Sequence, residues 1–128
     1  MGDRPGNFAV QNCDLLLSLG SRLSIRQVGY NYPTWAREAY VIYNDIDAEE
    51  LKKPTVHVDM PVHADVKDLL EKMEMVLEVE AVSADGGPKD KEAVDWWISR
   101  CQQWKEKYPV VLPKHYEAGE DQPANIYA

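Results

Sequence analysis

The sequence has few cysteines and no long apolar run. Its 128 residues include two cysteines, Cys13 and Cys101, which lack metal-type or redox spacing and lie in apolar surroundings. That context favours buried free thiols over a disulfide or a reactive site. No apolar run approaches the roughly 18 residues of a membrane-spanning helix, and residues 1–7 contain no signal-peptide core. We therefore expect a soluble, cytoplasmic protein.

Positive charge is also scarce. The chain has 14 basic against 22 acidic residues, a formal net charge of −8. Nucleic acids and anionic membranes require positive surface, so we expect neither as a partner. An apolar content of 45% is enough for a core, and the length allows one domain.

The motifs of autonomous catalysis are missing as well. The chain has no Walker loop, dinucleotide fingerprint, nucleophile elbow or zincin motif. His57 and His63 stand apart from any cysteine or acidic ligand pattern, and residues 85–87, Asp-Gly-Gly, predict a turn. We predict no catalytic residues and no metal ligands.

Two short apolar runs dominate what is present. Four leucines occur within residues 15–19, and Gly20, Ser21 and Arg22 follow directly. A short apolar run closed by glycine predicts a strand buried on both faces of a parallel sheet, with its carboxyl end near a ligand. A second such run, residues 39–47, ends in two acids.

The polar residues after these runs have two interpretations. Asp45 and Asp47 would either accept hydrogen bonds from ribose hydroxyls or cap the turn at residues 48–53. Arg22, Arg26 and Arg37 would either form an anion site or be solvated and salt-bridged. The sequence leaves both questions open.

The remaining pattern predicts one more strand and three helices. Asn7 is expected to cap a short helix over residues 8–11. Residues 55–63 alternate, and Pro61 predicts an edge or broken strand. The side chains expected on one face of this strand are Val56, Val58, Met60 and Val62.

Both long helices are predicted to be amphipathic. Asp65 should cap the first, whose core-facing stripe is Val66, Leu69, Leu70, Met73, Val76 and Leu77. The second should run from about Asp90 to Tyr108 and end at Pro109. Its apolar face comprises Val94, Trp97, Ile98, Cys101 and Trp104, and Trp96 falls outside it.

Three segments together resemble a known family. They are N-F-A-V-Q-N-C-D-L-L-L-S-L-G-S-R, A-Y-V-I-Y-N-D-I-D-A-E-E-L and V-D-M-P-V-H-A-D-V-K-D-L-L. In this order they resemble the central domain of thiamine-diphosphate-dependent enzymes, and the acetolactate synthase-like group in particular. The tail, W-x6-W-K-E-K-Y-P, is similar to the helix leading to that family's last domain.

The resemblance implies an α/β, Rossmann-like (DHS-like) parallel sheet with strand order 3-2-1-4-5-6. Residues 14–19, 39–46 and 57–63 would be strands four, five and six. The implied division is residues 1–83 as the second half of the central domain, 84–108 as a linker loop and amphipathic helix, and 109–128 as a linker toward a pyrophosphate-binding domain.

The resemblance also implies a function and cofactors. The chain would be a non-catalytic fragment of a 2-oxo acid decarboxylase or carboligase, a lyase or transferase. The catalytic glutamate and the G-D-G…N motif belong to other domains. The intact parent would bind thiamine diphosphate and magnesium, and flavin-using members hold FAD in the central domain while others hold ADP or nothing there. We expect the fragment alone to bind FAD weakly or not at all.

The family's nucleotide-binding positions transfer residue by residue. Its G-[AS]-R turn matches Gly20, Ser21 and Arg22, and its I-D-I-D segment matches residues 44–47, with Asn44 as a departure. Its G-D segment matches Ala64 and Asp65. The cofactor-binding residues implied are Gly20, Ser21, Arg22, Asp45, Asp47 and Asp65.

The absence of strands one to three implies partners. Residues 15–19 would form an unpaired apolar edge, and such edges recruit strands. We expect contacts with other domains of the parent enzyme and self-association through this edge. The alternatives are a stand-alone nucleotide-binding module and an interaction domain that uses Tyr30, Tyr32 and Trp35.

Overall fold

A three-stranded parallel sheet with helices around it forms the fold. The structure, a computed structural model, describes residues 3–83 and 90–116. In chain order its elements are α1 (Arg4–Asn12), β1 (Leu15–Leu19), α2 (Ile25–Val28), β2 (Tyr40–Asp45), β3 (Met60–His63), α3 (Val66–Ser83) and α4 (Lys91–Lys107). Short 3-10 turns occupy Tyr32–Thr34, Glu50–Lys52 and Pro113–His115. The predicted Asp-Gly-Gly turn at 85–87 and the tail beyond residue 116 lie outside the described residues.

The sheet has the order β1-β2-β3, with both pairs parallel. Leu15 pairs with Tyr40, and Ile42 pairs with Met60. This confirms the predicted α/β class and the three parallel strands. Among the described residues β1 has a neighbour on one side only, as predicted for an edge, and Pro61 lies in the other edge strand, β3.

The first helix begins earlier than predicted. Asp3 is its cap, since its Oδ1 accepts the Gly6 N–H at 2.8 Å. Pro5 occupies the first turn, where its missing N–H costs nothing. The prediction that Asn7 caps residues 8–11 was wrong, because Asn7 lies inside the helix.

One face of the sheet carries the core. Val41 and Tyr43 point to this face and are 1% exposed. Around Tyr43 pack Leu23, Val28, Tyr32, Trp35, Leu51, Val56 and Val58. Around Val41 pack Val10, Cys13, Leu16, Trp35, Ala36 and Ala39. We call this the covered face.

The opposite face is incompletely covered. Alternation along the strands and the parallel register place Leu15, Leu17, Leu19, Tyr40, Ile42, Asn44, Met60 and Val62 on it. Leu15, Leu17, Tyr40 and Met60 are all exposed. We call this the open face. The prediction that residues 15–19 are buried on both faces was wrong for this chain, because its helices cover only part of the second face.

The third strand is shorter than its pattern suggested. Asp59 interrupts the alternation by turning its carboxylate onto β2, where Oδ2 accepts the Val41 N–H at 2.7 Å. Val56 and Val58, before Asp59, join the core of the covered face, whereas Met60 and Val62 lie on the open face. The prediction of one continuous face was therefore wrong.

The cap of α3 is as predicted, but its packing is not. Asp65 Oδ1 accepts the Lys67 N–H at 2.8 Å. Leu69 and Met73 are half-buried, whereas Val66, Leu70, Val76 and Leu77 are exposed. The predicted core-facing stripe is thus only partly buried within this chain.

The second long helix packs on the first. Asp90 caps α4 by accepting the Ala93 N–H at 2.9 Å, and the Tyr108 N–H donates to the Trp104 carbonyl. The Phe8 ring of α1 lies 5.6 Å from that of Trp104 and 5.4 Å from that of Tyr108. Trp96 is exposed, in keeping with its position off the stripe. Both predicted ends are confirmed by their caps.

Candidate functional site at the carboxyl edge of the sheet

All six candidate nucleotide-binding residues follow the carboxyl ends of the strands. Gly20, Ser21 and Arg22 follow β1, Asp45 and Asp47 stand at the end of β2, and Asp65 follows β3. Because the strands are parallel, these ends share one edge of the sheet. The fold therefore gathers the predicted residues at the expected edge.

The turn after β1 has an unusual backbone. Gly20 has φ +55°, and Arg22 and Leu23 have φ +59° and +41°. Left-handed conformations are uncommon for residues with a Cβ and concentrate at functional sites. The Gly20 N–H donates to the Asn44 carbonyl at 2.9 Å, and the hydroxyls of Ser18 and Ser21 share a 2.7 Å hydrogen bond. The turn is thus tied to β2 and to its own strand.

Arg22 is paired with an acid. Its Nε lies 3.9 Å from Glu50 Oε1, and the same carboxylate pairs with Lys53. The Arg22 side chain is otherwise exposed to solvent. Arg37 pairs with Glu38. It precedes β2 and so lies near the amino ends of the strands, whereas Gly20 follows the carboxyl end of β1. The salt-bridged interpretation therefore describes Arg22 and Arg37.

The two acids after β2 organise the turn that follows. Asp45 is buried, and its Oδ1 accepts the Asp47 N–H at 3.0 Å while Oδ2 accepts the Tyr43 hydroxyl at 3.3 Å. Asp47 Oδ1 accepts the Glu49 N–H at 2.9 Å. In this structure both carboxylates act as caps, and their binding to ribose hydroxyls remains a prediction.

The pKa of the Tyr43 phenol depends in part on the Asp45 carboxylate. Burial, and then the neighbouring Asp45, raises the pKa of Tyr43 from 10.0 to about 12. The phenol therefore stays protonated and donates to Asp45. This contact joins the core of the covered face to the carboxyl edge.

Asn44 has a structural role that was not predicted from the sequence. It is 1% exposed, and its Nδ2 donates to the carbonyls of Val62 at 3.0 Å and Ala64 at 2.8 Å. Its Oδ1 has no hydrogen-bond partner among residues 3–83 and 90–116. A lone amide within the apolar run Tyr-Val-Ile-Tyr-Asn was the available signal. Asn44 fixes the end of β3 and the start of α3 to the central strand.

The described residues contain neither a group of three metal-ligating side chains nor a membrane-spanning helix. Within residues 3–83 and 90–116 no three histidine, cysteine, aspartate or glutamate side chains are grouped to hold a metal ion. No helix among these residues is both long and apolar enough to cross a membrane. Cys13 and Cys101 are free thiols, half-buried rather than buried, and partial burial raises the pKa of Cys13.

A family profile decides the assignment. Residues 1–73, more than half of the chain, match the thiamine pyrophosphate enzyme, central domain, family. The chain belongs to this family. The matched span contains all six candidate residues and the three strands, so the resemblance stated from the sequence is confirmed.

Similar proteins come from algae, bacteria and archaea. The acetolactate synthase large subunit of Cyanidium caldarium is 31% identical over 88% of this chain and 18% of its own length. The acetolactate synthase of Mycobacterium avium is 39% identical over 70% of this chain and 13% of its own. A probable acetolactate synthase large subunit of Methanocaldococcus jannaschii is 34% identical over 81% and 16%. The chain spans less than a fifth of the length of these relatives.

Proposed function

We propose that this chain forms the second half of the central domain of an acetolactate synthase-like, thiamine-diphosphate-dependent 2-oxo acid decarboxylase or carboligase. Its role there is structural, with a share in nucleotide binding and no catalysis of its own. The observation that carries the proposal is the match of residues 1–73 to the central-domain family. It is supported by β1, which in the described part of the chain is hydrogen-bonded to a strand on one side only.

The free edge of β1 supports an incomplete domain. A groove of about 510 Å³ runs beside this strand. Residues that line it include Val10, Leu16, Leu17, Leu19, Leu23 and Trp35. An unpaired strand edge beside an apolar groove accepts another strand. In the parent enzyme we assign that strand to the preceding part of the central domain, and in the isolated chain to a second copy.

The carboxyl edge fits only part of a nucleotide. A Cβ added at Gly20 would meet no atom within 4 Å, so space exists for an approaching ligand. Against this, Asp45 already accepts hydrogen bonds at both oxygens, and Arg22 is held by Glu50. We infer weak or no FAD or ADP binding by the chain alone, with the rest of the pocket coming from the missing strands.

Thiamine diphosphate and magnesium would be held by other domains of the parent. Bound there, thiamine diphosphate would supply the electron sink that reactions of 2-oxo acids need. Within this chain, residues 1–83 would complete the central domain, 84–108 would bring α4 against α1, and 109–128 would lead to the pyrophosphate-binding domain. A cytoplasmic location belongs to the same proposal.

The coding sequence on either side of this chain tests the proposal directly. We expect a pyrimidine-binding domain and the first half of the central domain upstream, and a pyrophosphate-binding domain downstream. We also expect the purified chain to form no acetolactate from pyruvate with thiamine diphosphate and magnesium added. Stop signals on both sides, or acetolactate formed by the chain alone, would overturn it.

A stand-alone nucleotide-binding module is the second candidate. The left-handed turn at Gly20, Arg22 and Leu23 favours it, because such strain is typical of ligand sites. Calorimetric titration with FAD, ADP and NAD would then show binding that Arg22→Ala removes. Lys53→Ala is a matched control, because Lys53 pairs with the same Glu50 carboxylate as Arg22, and it should retain binding.

The third candidate is an interaction module. It would use the exposed ring of Tyr30 and would be detected by a specific pull-down without nucleotide binding.

A further inference from the structure

The two cysteines lie on elements that pack against each other. Cys13 is the residue that ends α1, and Cys101 lies within α4. These two helices are in contact, although the whole sheet lies between them in the sequence. Both thiols are free and half-buried. The fold therefore brings together two helices that each carry one cysteine.

Cys101 lies on the buried face of α4. Trp97, Cys101 and Trp104 are half-buried, whereas the rest of the helix from Lys91 to Lys107 is exposed. Spacings of four and three residues place these three side chains on one side of the helix. The rings of Trp97 and Trp104 lie 5.8 Å apart, and that of Trp104 lies 5.6 Å from the ring of Phe8. Cys101 therefore lies on the side of α4 that packs on α1.

The two helices run in opposite directions. The Phe8 ring contacts the rings of both Trp104 and Tyr108, at 5.6 and 5.4 Å. The guanidinium of Arg4, one turn earlier in α1, lies 4.8 Å from the Tyr108 ring, at the end of α4. Earlier residues of α1 thus meet later residues of α4, which is an antiparallel arrangement.

In this arrangement the two cysteines stand at the same height along the helix pair. Phe8 is level with residue 106, midway between the two residues whose rings it contacts. Cys13 follows Phe8 by five residues, and Cys101 precedes residue 106 by five residues. Because each residue advances a helix by about 1.5 Å, both cysteines lie about 7.5 Å beyond Phe8 in the same direction.

The distance between packed helices suits a disulfide. Helix axes in contact lie about 8–10 Å apart and each Cα about 2.3 Å from its axis, so facing Cα atoms are about 3–5 Å apart. Disulfides join Cα atoms that are about 4.4–6.8 Å apart. The Cys13 thiol donates to the Val10 carbonyl at 3.3 Å, a weak hydrogen bond that rotation of the side chain would break.

The electrostatics of Cys13 also indicate proximity. Burial, and then negative charge at Asp14 and at Cys101, raises the pKa of the Cys13 thiol. Charges separated by more than about 10 Å are largely screened in solvent. The sulfur of Cys101 therefore lies near that of Cys13.

We propose that Cys13 and Cys101 form a reversible disulfide within one chain. A small disulfide such as oxidised glutathione generates it in two exchanges. In the first, one cysteine thiolate attacks the small disulfide, forms a mixed disulfide and releases one small thiolate. In the second, the other cysteine attacks the protein sulfur of the mixed disulfide and releases the second small thiolate. The chain loses two protons and two electrons, and the small disulfide takes up both to become two thiols.

The disulfide joins α4 to the edge strand of the sheet. Cys13 precedes Asp14, whose carbonyl accepts the Tyr40 N–H at 2.7 Å, and β1 begins at the next residue. The reduced chain holds α4 through ring contacts with α1, and oxidation adds a covalent bond at the same contact. In a reducing compartment such a bond is transient and responds to the redox state.

Mass spectrometry of the reduced 128-residue chain treated with oxidised glutathione tests the proposal. We expect the folded chain to lose two hydrogens and to give a cross-linked peptide pair that contains Cys13 and Cys101. The ratio of this disulfide to glutathione adducts should be at least about tenfold higher in buffer than in urea, because packing raises the local concentration of the second thiol. An equal ratio in both conditions, or links between two chains, would overturn the proposal.

Two tryptophan substitutions test the role of helix packing. Trp104→Ala removes the ring that contacts Phe8, and we expect the ratio to fall at least about fivefold as α4 separates from α1. Trp96→Ala is the matched control, since this ring is 64% exposed and lies off the buried face, and it should leave the ratio unchanged. Circular dichroism checks that both variants keep their helices. If both form the disulfide equally well, the contact of α1 with α4 does not bring the cysteines together.

The oxidised chain should also melt at a higher temperature. A bond between residues 13 and 101 closes a long loop and restricts the unfolded chain, so we expect a rise of at least about 5 °C. Cys13→Ser and Cys101→Ser, treated in the same way, should show no rise and should each carry one glutathione. A folded wild-type chain that carries two glutathiones would overturn the proposal. Neither cysteine has a role in the proposed function, so that result would leave the proposed function unchanged.

Discussion

The two faces of the sheet come from the same three strands but are covered to different depths. On β2, Tyr43 is buried on the covered face and Tyr40 is exposed on the open face. The covered face receives α1, α2 and the segments between strands, whereas on the open face Leu15, Leu17, Tyr40 and Met60 are exposed. Residues on opposite faces of the same strand are therefore expected to differ sharply in their contribution to stability.

The largest difference should come from the two tyrosines. Tyr43→Ala removes a buried ring and leaves Asp45 without its hydroxyl donor, so we expect a loss of roughly 3–5 kcal/mol in the free energy of unfolding. Tyr40→Ala is the matched control, with an expected loss under about 1 kcal/mol. Urea denaturation of both variants measures the difference. Equal losses would mean that the open face is covered in solution.

A substitution at Asn44 tests the junction between β3 and α3. Asn44→Ala leaves the carbonyls of Val62 and Ala64 without their donor, and we expect a loss of about 1–3 kcal/mol. Amide exchange should also speed up at the start of α3. Asn12→Ala removes one exposed amide-to-carbonyl bond, to Phe8, and should cost under about 1 kcal/mol. If Asn44→Ala costs no more free energy of unfolding than Asn12→Ala, Asn44 does not fix β3 and α3 to β2.

Tyr43→Phe isolates the hydroxyl. At neutral pH the loss of its bond to Asp45 should cost about 1 kcal/mol. Because the pKa of Tyr43 is raised to about 12 in the folded state, the phenol stabilises the fold below pH 10, and this contribution is lost as pH rises from 10 toward 12. Denaturation from pH 8 to 12 should show this alkaline loss in the wild type and less of it in the variant. Identical slopes would contradict the assignment.

Asp59→Asn should have the smallest effect. The Val41 N–H, and then His57, lower the pKa of Asp59 below its usual value. The charged form therefore stabilises the fold at neutral pH, and this contribution is lost as pH falls through the acid range. Acid denaturation of the asparagine variant should lack that component. His57→Ala should retain most of it, since the Val41 contact is the larger cause.

Local patterns were sufficient where the relevant partners were close in sequence. Asp65 and Asp90 were correctly predicted as caps because a cap binds the next few N–H groups of its own helix. The strands at residues 15–19 and 40–45 followed from dense apolar runs. Val56 and Val58 could not be assigned to a face in this way, because the interruption at Asp59 depends on a bond to β2, eighteen residues away.

The candidate site shows the same division. The placement of Gly20, Asp45 and Asp65 at one edge followed from the parallel order of the strands. The pairing of Arg22 with Glu50 required the three-dimensional path of residues 46–53. Capping by Asp45 and Asp47 was one of the two interpretations of the sequence, and the structure shows it in their bonds to the Asp47 and Glu49 N–H groups. Asn44 was missed since its role depends on two carbonyls of a different strand.

The sequence by itself determined the family, the parallel sheet and the apolar edge strand, because these are written in short apolar runs, terminal glycine and acids in a fixed order. Only the tertiary structure decided which face of the sheet is covered and where α3 is left exposed. The physical reason is that burial depends on what lies opposite a side chain. An amphipathic stripe predicts that one side of a helix is buried, but it does not predict which other surface covers it.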